Sequence, residues 1–276
     1  MIWSSTEDVE EFLVTAGAFL RSRAAEHSIL LSVSDMLRSI GRPGVARFGW
    51  WIGPDGNVAA VFLRTPPHPV LMGHAPVEAA AALPKMLLPL YPDLPGVNGS
   101  PEVADAFAAA WCRATGTTAE VHRRTRLYRL GTLTPPATAG TPRAAGAADR
   151  DLVLDWFAAF GAEIGEALPD LPEMVDDAVG GGLVTLWQVD GVPVSMAAAT
   201  REVAGVVRVA PVYTPPGARR HGYGGAVTAA VSRAALDAGA TDVVLYTDLA
   251  NPTSNSIYQR LGYRPVHDRV IVSFTG

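Results

Sequence analysis

The chain reads as an α+β protein, a mixed α/β sandwich of two domains. Each domain is predicted to be a mixed, largely antiparallel sheet flanked by helices. Three observations predict this. Short β-branched runs alternate with segments of helical period in both halves. Hairpin signals join neighbouring runs, Pro54-Asp55-Gly56-Asn57 in the first half and Asp190-Gly191 in the second. Between the halves lies a stretch from Gly131 to Pro142, rich in Pro, Gly, Thr and Ala, which interrupts the periodicity. The expected division is a first domain over 1–131, a linker over 132–141 and a second domain over 142–276. A length of 276 residues suits two domains.

In the first half the pattern predicts helices over 6–24 and 28–39, then strands over Ala46–Ile52, Val58–Arg64 and Val70–His74. Helices follow at 76–90 and 101–115, and a strand at 120–131. In the second half a strand near Arg143 leads to Asp149, which reads as a helix N-cap. Helices at 149–164 and 171–179 follow, the latter opened by Pro172. The strands Leu183–Val189, Val192–Thr200 and Val206–Tyr213 form a meander. A helix at 226–238, a strand at 242–247, a short helix at 254–261 and a strand at 266–274 complete the chain.

The run Val212-Tyr213-Thr214-Pro215-Pro216-Gly217-Ala218-Arg219-Arg220-His221-Gly222-Tyr223-Gly224-Gly225 carries the most chemistry. A strand breaks at Pro-Pro, passes a Gly-rich turn and opens a helix. The first N–H groups of a helix have no intrahelical partner, and the helix dipole adds positive charge there. Both suit a pyrophosphate. Glycines allow close backbone approach, and Arg219 and Arg220 offer charge-assisted contacts. There is no Gly-x-x-x-x-Gly-Lys-Ser/Thr, and Gly222-x-Gly224-Gly225 lacks the third glycine of a dinucleotide fingerprint at the required offset.

A second segment follows: Asn251-Pro252-Thr253-Ser254-Asn255-Ser256-Ile257-Tyr258-Gln259-Arg260-Leu261-Gly262-Tyr263. With both segments in this order, residues 142–276 resemble the GNAT superfamily of acyl-CoA-dependent N-acyltransferases. Arg219, Gly222 and Gly224 match that family's Arg/Gln-x-x-Gly-x-Gly/Ala turn. Asn251, Tyr258, Gly262 and Tyr263 match its later motif. The resemblance implies acetyl-CoA as cosubstrate, held by Val212, Tyr213, Thr214, Arg219, Arg220, His221, Gly222, Tyr223, Gly224, Gly225, Asn251, Ser254 and Tyr258. It also implies Tyr258 as the general acid toward the departing sulfur; the alternative is a ring that packs on its helix and hydrogen-bonds the cofactor. Asn255 reads as the N-cap of the short helix.

The general base is less legible. Many family members place a Glu on the third or fourth strand, but Val206–Val212 holds no carboxylate. Glu163, Glu166 and Asp248 are the candidates, against a water chain and against plain surface or turn acids. Arg208, mid-strand in an apolar run, reads as a residue on the solvated side of an antiparallel strand. The first half looks like a degenerate repeat of the same fold, or an unrelated accessory domain. At its corresponding turn stands Gly73-His74-Ala75-Pro76 and no Arg-x-x-Gly-x-Gly, so it is not expected to hold coenzyme A productively.

Composition narrows the classes. Net charge is −5 with no basic block, which argues against nucleic acid. The one cysteine, Cys112, excludes an intrachain disulfide, and the six scattered histidines show no metal spacing, so no metal is expected. No targeting or membrane segment is apparent, and the expectation is a cytoplasmic monomer or homodimer. The expected activity is acetyl transfer from acetyl-CoA to a small-molecule amine, with the first domain walling the acceptor cleft. The alternatives are a longer acyl-CoA, or a non-catalytic CoA-binding sensor or protein-interaction module.

Overall fold

The computed structural model describes residues 2–40, 46–166 and 170–276. In chain order the elements are β1 (Trp3–Thr6), α1 (Val9–Ser22), α2 (Ser28–Ile40), β2 (Arg47–Ile52), β3 (Val58–Arg64), β4 (Val70–Met72), α3 (Val77–Leu87), β5 (Gly96–Gly99), α4 (Pro101–Thr115) and β6 (Thr118–Leu130). Then come β7 (Thr141–Ala144), α5 (Arg150–Ile164), α6 (Leu171–Gly180), β8 (Val184–Val189), β9 (Val192–Ala199), β10 (Val206–Tyr213), α7 (Tyr223–Asp237), β11 (Asp242–Asp248), α8 (Pro252–Arg260) and β12 (Tyr263–Thr275). The α+β class holds: helices flank mixed sheets whose pairings are mostly antiparallel.

Two compact units form. The first comprises 1–127, 247–251 and 265–276, and the second 128–246 and 252–264. These differ from the linear division read at 131 and 142. The end of β12 pairs antiparallel with β5, Val270 against Gly99 through Ser273 against Gly96, so residues 265–276 join the first unit. The segment read as a linker is part of the second unit. Gly131 N–H donates to Gly262 at 3.0 Å, Thr134 N–H to Leu261 at 3.0 Å, and the Trp187 indole N–H to the Ala139 carbonyl at 2.9 Å.

In the first unit β1, β2, β3 and β4 pair antiparallel in sequence, and β4 pairs parallel with β5. The side chain of Asp8 caps α1 by accepting from the N–H groups of Glu10 and Glu11. α4 opens at Pro101 and stops at Gly116, which is left-handed at φ 78°. Trp3, Trp51, Phe62, Phe107 and Trp111 fill the core with α3 and α4. Neither β1 nor β5 was expected. Trp-Ser-Ser-Thr and Gly-Val-Asn-Gly are four residues each, too short to show a strand period, and pairing to neighbours makes them strands. Gly96 fits because a Cβ there would lie 2.0 Å from the Val272 carbonyl oxygen.

In the second unit β7, β8, β9 and β10 are antiparallel, and β10 runs parallel to β11. The hairpin between β8 and β9 turns through Asp190 and Gly191, with φ values of 50° and 80°, as the Asp-Gly pair predicts. One face of the sheet packs Val207, Val209, Val243 and Leu245 against α7; the other packs Leu186, Met196 and Tyr213 against Trp156, Phe157 and Val175 of α5 and α6. Asp149 stands at the N-cap position of α5, as expected, but its side chain makes no cap bond to the helix. Its carboxylate turns back to Arg143 and to the Gly146 N–H, and the Arg143 guanidinium pulls its pKa down to about 2. Arg208 is only partly exposed, and not on a fully solvated face. Its Nε is enclosed by protein and burial lowers its pKa, because β10 is an inner strand with helices on both sides.

Candidate active site

The site begins where two parallel strands part. β10 and β11 pair at Val206–Asp242, Val207–Val243 and Arg208–Val244. Beyond Arg208, β10 stays with β9, placing Val212 opposite Ala197 and Tyr213 opposite Met196. The register slips between Val209 and Val212, around Pro211, which has no N–H to donate. A crevice at the carboxyl ends of parallel strands is a common place for a ligand in such sheets.

The wall at Tyr213 and Thr214 is fixed from behind by Ser195. Its hydroxyl donates to the Tyr213 carbonyl at 2.9 Å, so its contact with the Thr214 hydroxyl at 2.8 Å is one in which Thr214 donates. Ser195 was not singled out from sequence, because a serine in a strand has no pattern that betrays a partner across the sheet.

The turn then reaches α7. Arg220 and Gly222 are left-handed, at φ 69° and 83°. Gly222 is the N-cap of α7 and offers no side-chain cap, so the first N–H groups of the helix are left to an external acceptor. The helix begins at Tyr223, three residues earlier than expected. The glycines keep its start bare: a Cβ at Gly224 would lie 3.3 Å from the Thr214 hydroxyl, and one at Gly225 would lie 3.4 Å from Ile257. His221 and Tyr223 stack at 5.4 Å beside this start.

Arg219 is already engaged. Its Nε donates to the Thr214 carbonyl at 2.8 Å, its guanidinium lies 6.0 Å from the Tyr213 ring centre, and its Nη2 pairs with the Glu163 carboxylate of α5. Glu163 is therefore a partner of the turn arginine. The Asp248 carboxylate accepts from the Ala250 N–H at 2.8 Å and lies 3.7 Å from Arg123, and the Asn251 N–H donates to the Asp248 carbonyl at 3.1 Å. Residues 247–251 group with the first unit and Ser254 and Tyr258 with the second.

α8 is set against α7 through Ile257 on Gly225. It is pinned by Tyr128, which is fully buried: its hydroxyl donates to Asn255 Oδ1 at 2.9 Å and accepts from Gln259 Nε2 at 3.0 Å. Asn255 thus lies inside the helix as a tertiary anchor, not at its N-cap. Tyr128 is 127 residues from Asn255, too far for a motif to show. The Tyr258 ring meets Tyr263 edge-on at 6.1 Å, and burial pushes its pKa up to about 12. Tyr263 donates to Ser232 at 2.7 Å, since the Ser232 proton goes to the Thr228 carbonyl at 2.6 Å. Among the described residues no His, Cys, Asp and Glu group suits a metal ion, and no helix is long and apolar enough to cross a membrane.

Residues 191–272, which hold the crevice, the turn and α8, match the family model described as FR47-like protein. A GCN5-related N-acetyltransferase from Sphaerobacter thermophilus is similar over 99% of this chain and 95% of its own, with 16% identity and a TM-score of 0.65. The chain has the GNAT fold. A GNAT-family acetyltransferase from Colwellia psychrerythraea shares it over 99% of both chains, with 13% identity and a TM-score of 0.60. So does a tandem GNAT protein of the clavulanic acid biosynthesis pathway, over 99% of this chain and 98% of that one, with 12% identity and a TM-score of 0.55. No curated protein matches the chain. The GNAT fold accounts for both halves, as the repeat reading expected.

Proposed function

We propose that the chain is an N-acetyltransferase that moves an acetyl group from acetyl-CoA to the amine of a small molecule. The observation that carries this reading is the parting of β10 from β11 directly before the uncapped, glycine-lined start of α7. That combination fits a long cofactor with an apolar arm and a pyrophosphate. Acetyl-CoA supplies the thioester, and the chain's residues bind and orient it. The N–H groups of Gly222–Gly225 and the Arg219 and Arg220 guanidinium groups face the pyrophosphate charge. Backbone groups of Val212–Thr214 line the arm and polarise the thioester carbonyl. In this reading the amine nitrogen would attack that carbonyl carbon as the carbon–sulfur bond breaks, and the Tyr258 hydroxyl would give its proton to the sulfur. The surplus proton of the amine passes through water and restores the Tyr258 hydroxyl; the Glu163 carboxylate is held by Arg219 and that of Asp248 by its own turn.

Two expected results test these roles. Arg219→Ala removes a charge-assisted contact of about 1.5–3 kcal/mol, so the Kd for acetyl-CoA should rise roughly 10- to 100-fold by titration calorimetry. An unchanged Kd would take Arg219 out of the cofactor site. Glu163→Gln frees Arg219 from an exposed ion pair of about 0–1 kcal/mol, so acetyl-CoA should bind equally or up to about fivefold more tightly. The pH–rate profile should keep its shape. A flattened limb with a large fall in kcat would restore Glu163 as the base.

A further inference from the structure

The first unit holds a cavity of about 300 Å³ that the proposed acetyl transfer does not use. It lies past the carboxyl ends of β4 and β5, the parallel pair registered at Val70–Val97 and Leu71–Asn98. One chain leaves β4 through Gly73-His74 into α3, and the other leaves β5 through Ser100 into α4, so their divergence opens a crevice.

The opening is built with some care. His27 is 1% exposed; its Nδ1 lies 3.1 Å from the Leu20 carbonyl and its Nε2 accepts the His74 N–H at 3.0 Å. The turn before α3 is thereby pegged to the core, and Gly73 has no room for a side chain, since a Cβ would lie 2.7 Å from Val61. On the lining, Arg269 is 5% exposed and ties the two strand ends together: its Nη2 donates to the Met72 carbonyl at 2.9 Å and the Asn98 carbonyl at 3.0 Å. Neither Pro76 nor Ser100, the N-caps of α3 and α4, makes a side-chain cap bond, and the positive ends of both helix dipoles border the cavity at Val77 and Glu102. The Nδ1 of His267, in the wall, is enclosed and has no hydrogen-bond partner among the described residues. Against these donors stand two carboxylates in the lining, Glu102 and Glu26, the latter 3.7 Å from Arg23.

We propose that this cavity binds a small zwitterion, a molecule with one carboxylate and one ammonium group such as an α-amino acid. The carboxylate suits the Arg269 charge and the two helix starts, and the ammonium suits Glu26 and Glu102. The volume admits a molecule of amino-acid size but is at the lower limit of pockets that enclose drug-sized ligands. A coenzyme is a poor fit here, because the turn lacks both the arginine and the glycine spacing of the turn before α7.

The proposal is independent of the acetyl-transfer reading. Its test is calorimetric titration of the full chain with the twenty proteinogenic L-amino acids, with acetate and butylamine as single-charge controls. At least one amino acid should bind with a Kd below about 1 mM, a modest affinity by the usual scale, and neither control should bind comparably. His267→Phe and Glu102→Gln should each weaken that binding at least tenfold, while Arg219→Ala should leave it within twofold. Absence of binding by every amino acid would overturn the proposal. So would binding that survives both cavity substitutions, or a second acetyl-CoA per chain that is lost in His267→Phe.

Discussion

Tyr258→Phe is expected to lower kcat for acetyl transfer by about 10²-fold or more, the usual contribution of a positioned general acid. The Kd for acetyl-CoA should stay within a few fold. The ring keeps its edge-on contact with Tyr263 and its place on α8, so only the proton is removed. Burial holds the phenol protonated up to about pH 12, so this group adds no falling limb to the rate across the ordinary pH range. The sign for stability follows from the same shift. A folded pKa above the unfolded value near ~10 means that the contribution is fully present below pH ~10 and is lost as pH rises through the folded pKa. Single-turnover rates and calorimetry on the variant separate the outcomes. A full rate with phenylalanine would leave Tyr258 as a packing residue and return the thiolate's proton to solvent.

Gly262→Ala should cost stability rather than chemistry. Gly262 has φ 101°, and a Cβ there would lie 1.9 Å from the backbone oxygen of Thr132. The residue also accepts the Gly131 N–H. Backbone strain of about 1–3 kcal/mol and displacement of that hydrogen-bonded segment, about 1 kcal/mol, add to roughly 3 kcal/mol. For a chain of this size the thermal midpoint should fall by roughly 6–12 °C. Gly217→Ala is the control, since nothing lies within 4 Å of its added Cβ and its φ is not positive. Equal midpoints for the two variants would show that the segment from Gly131 to Thr134 yields without cost.

The motif glycine is thus explained by something its motif does not contain. Gly262 is required because the chain from Gly131 onward lies against it, and that chain reads in sequence as a linker. Proline, glycine and threonine suppress periodicity whether a segment spans solvent or is bonded to a surface. β1 and β5 escaped for a related reason. Four residues are too few to carry a period, and their strand character comes from partners far along the chain. The longer elements were legible because each carries an apolar run or period long enough to detect: Val58–Arg64, Pro101–Thr115 and Val206–Tyr213 have the expected bounds.

The site divides in the same way. The turn from Arg219 to Gly225 was readable because its chemistry is local: a helix start, a left-handed glycine and adjacent charges follow from neighbouring residues. The partner of Arg219 was not, and the Glu163 carboxylate that read as a possible base proves to be its counter-ion. Ser195 behind Thr214 and Tyr128 behind Asn255 were equally hidden. Sequence by itself determined the fold class, the order of the long elements and the location of the turn, since periodicity and turn chemistry act between near neighbours. The tertiary structure alone decided which unit owns residues 265–276, where β10 leaves β11, and which charges are already spoken for. Those outcomes depend on hydrogen bonds and ion pairs between residues far apart in the chain, and no local pattern records them.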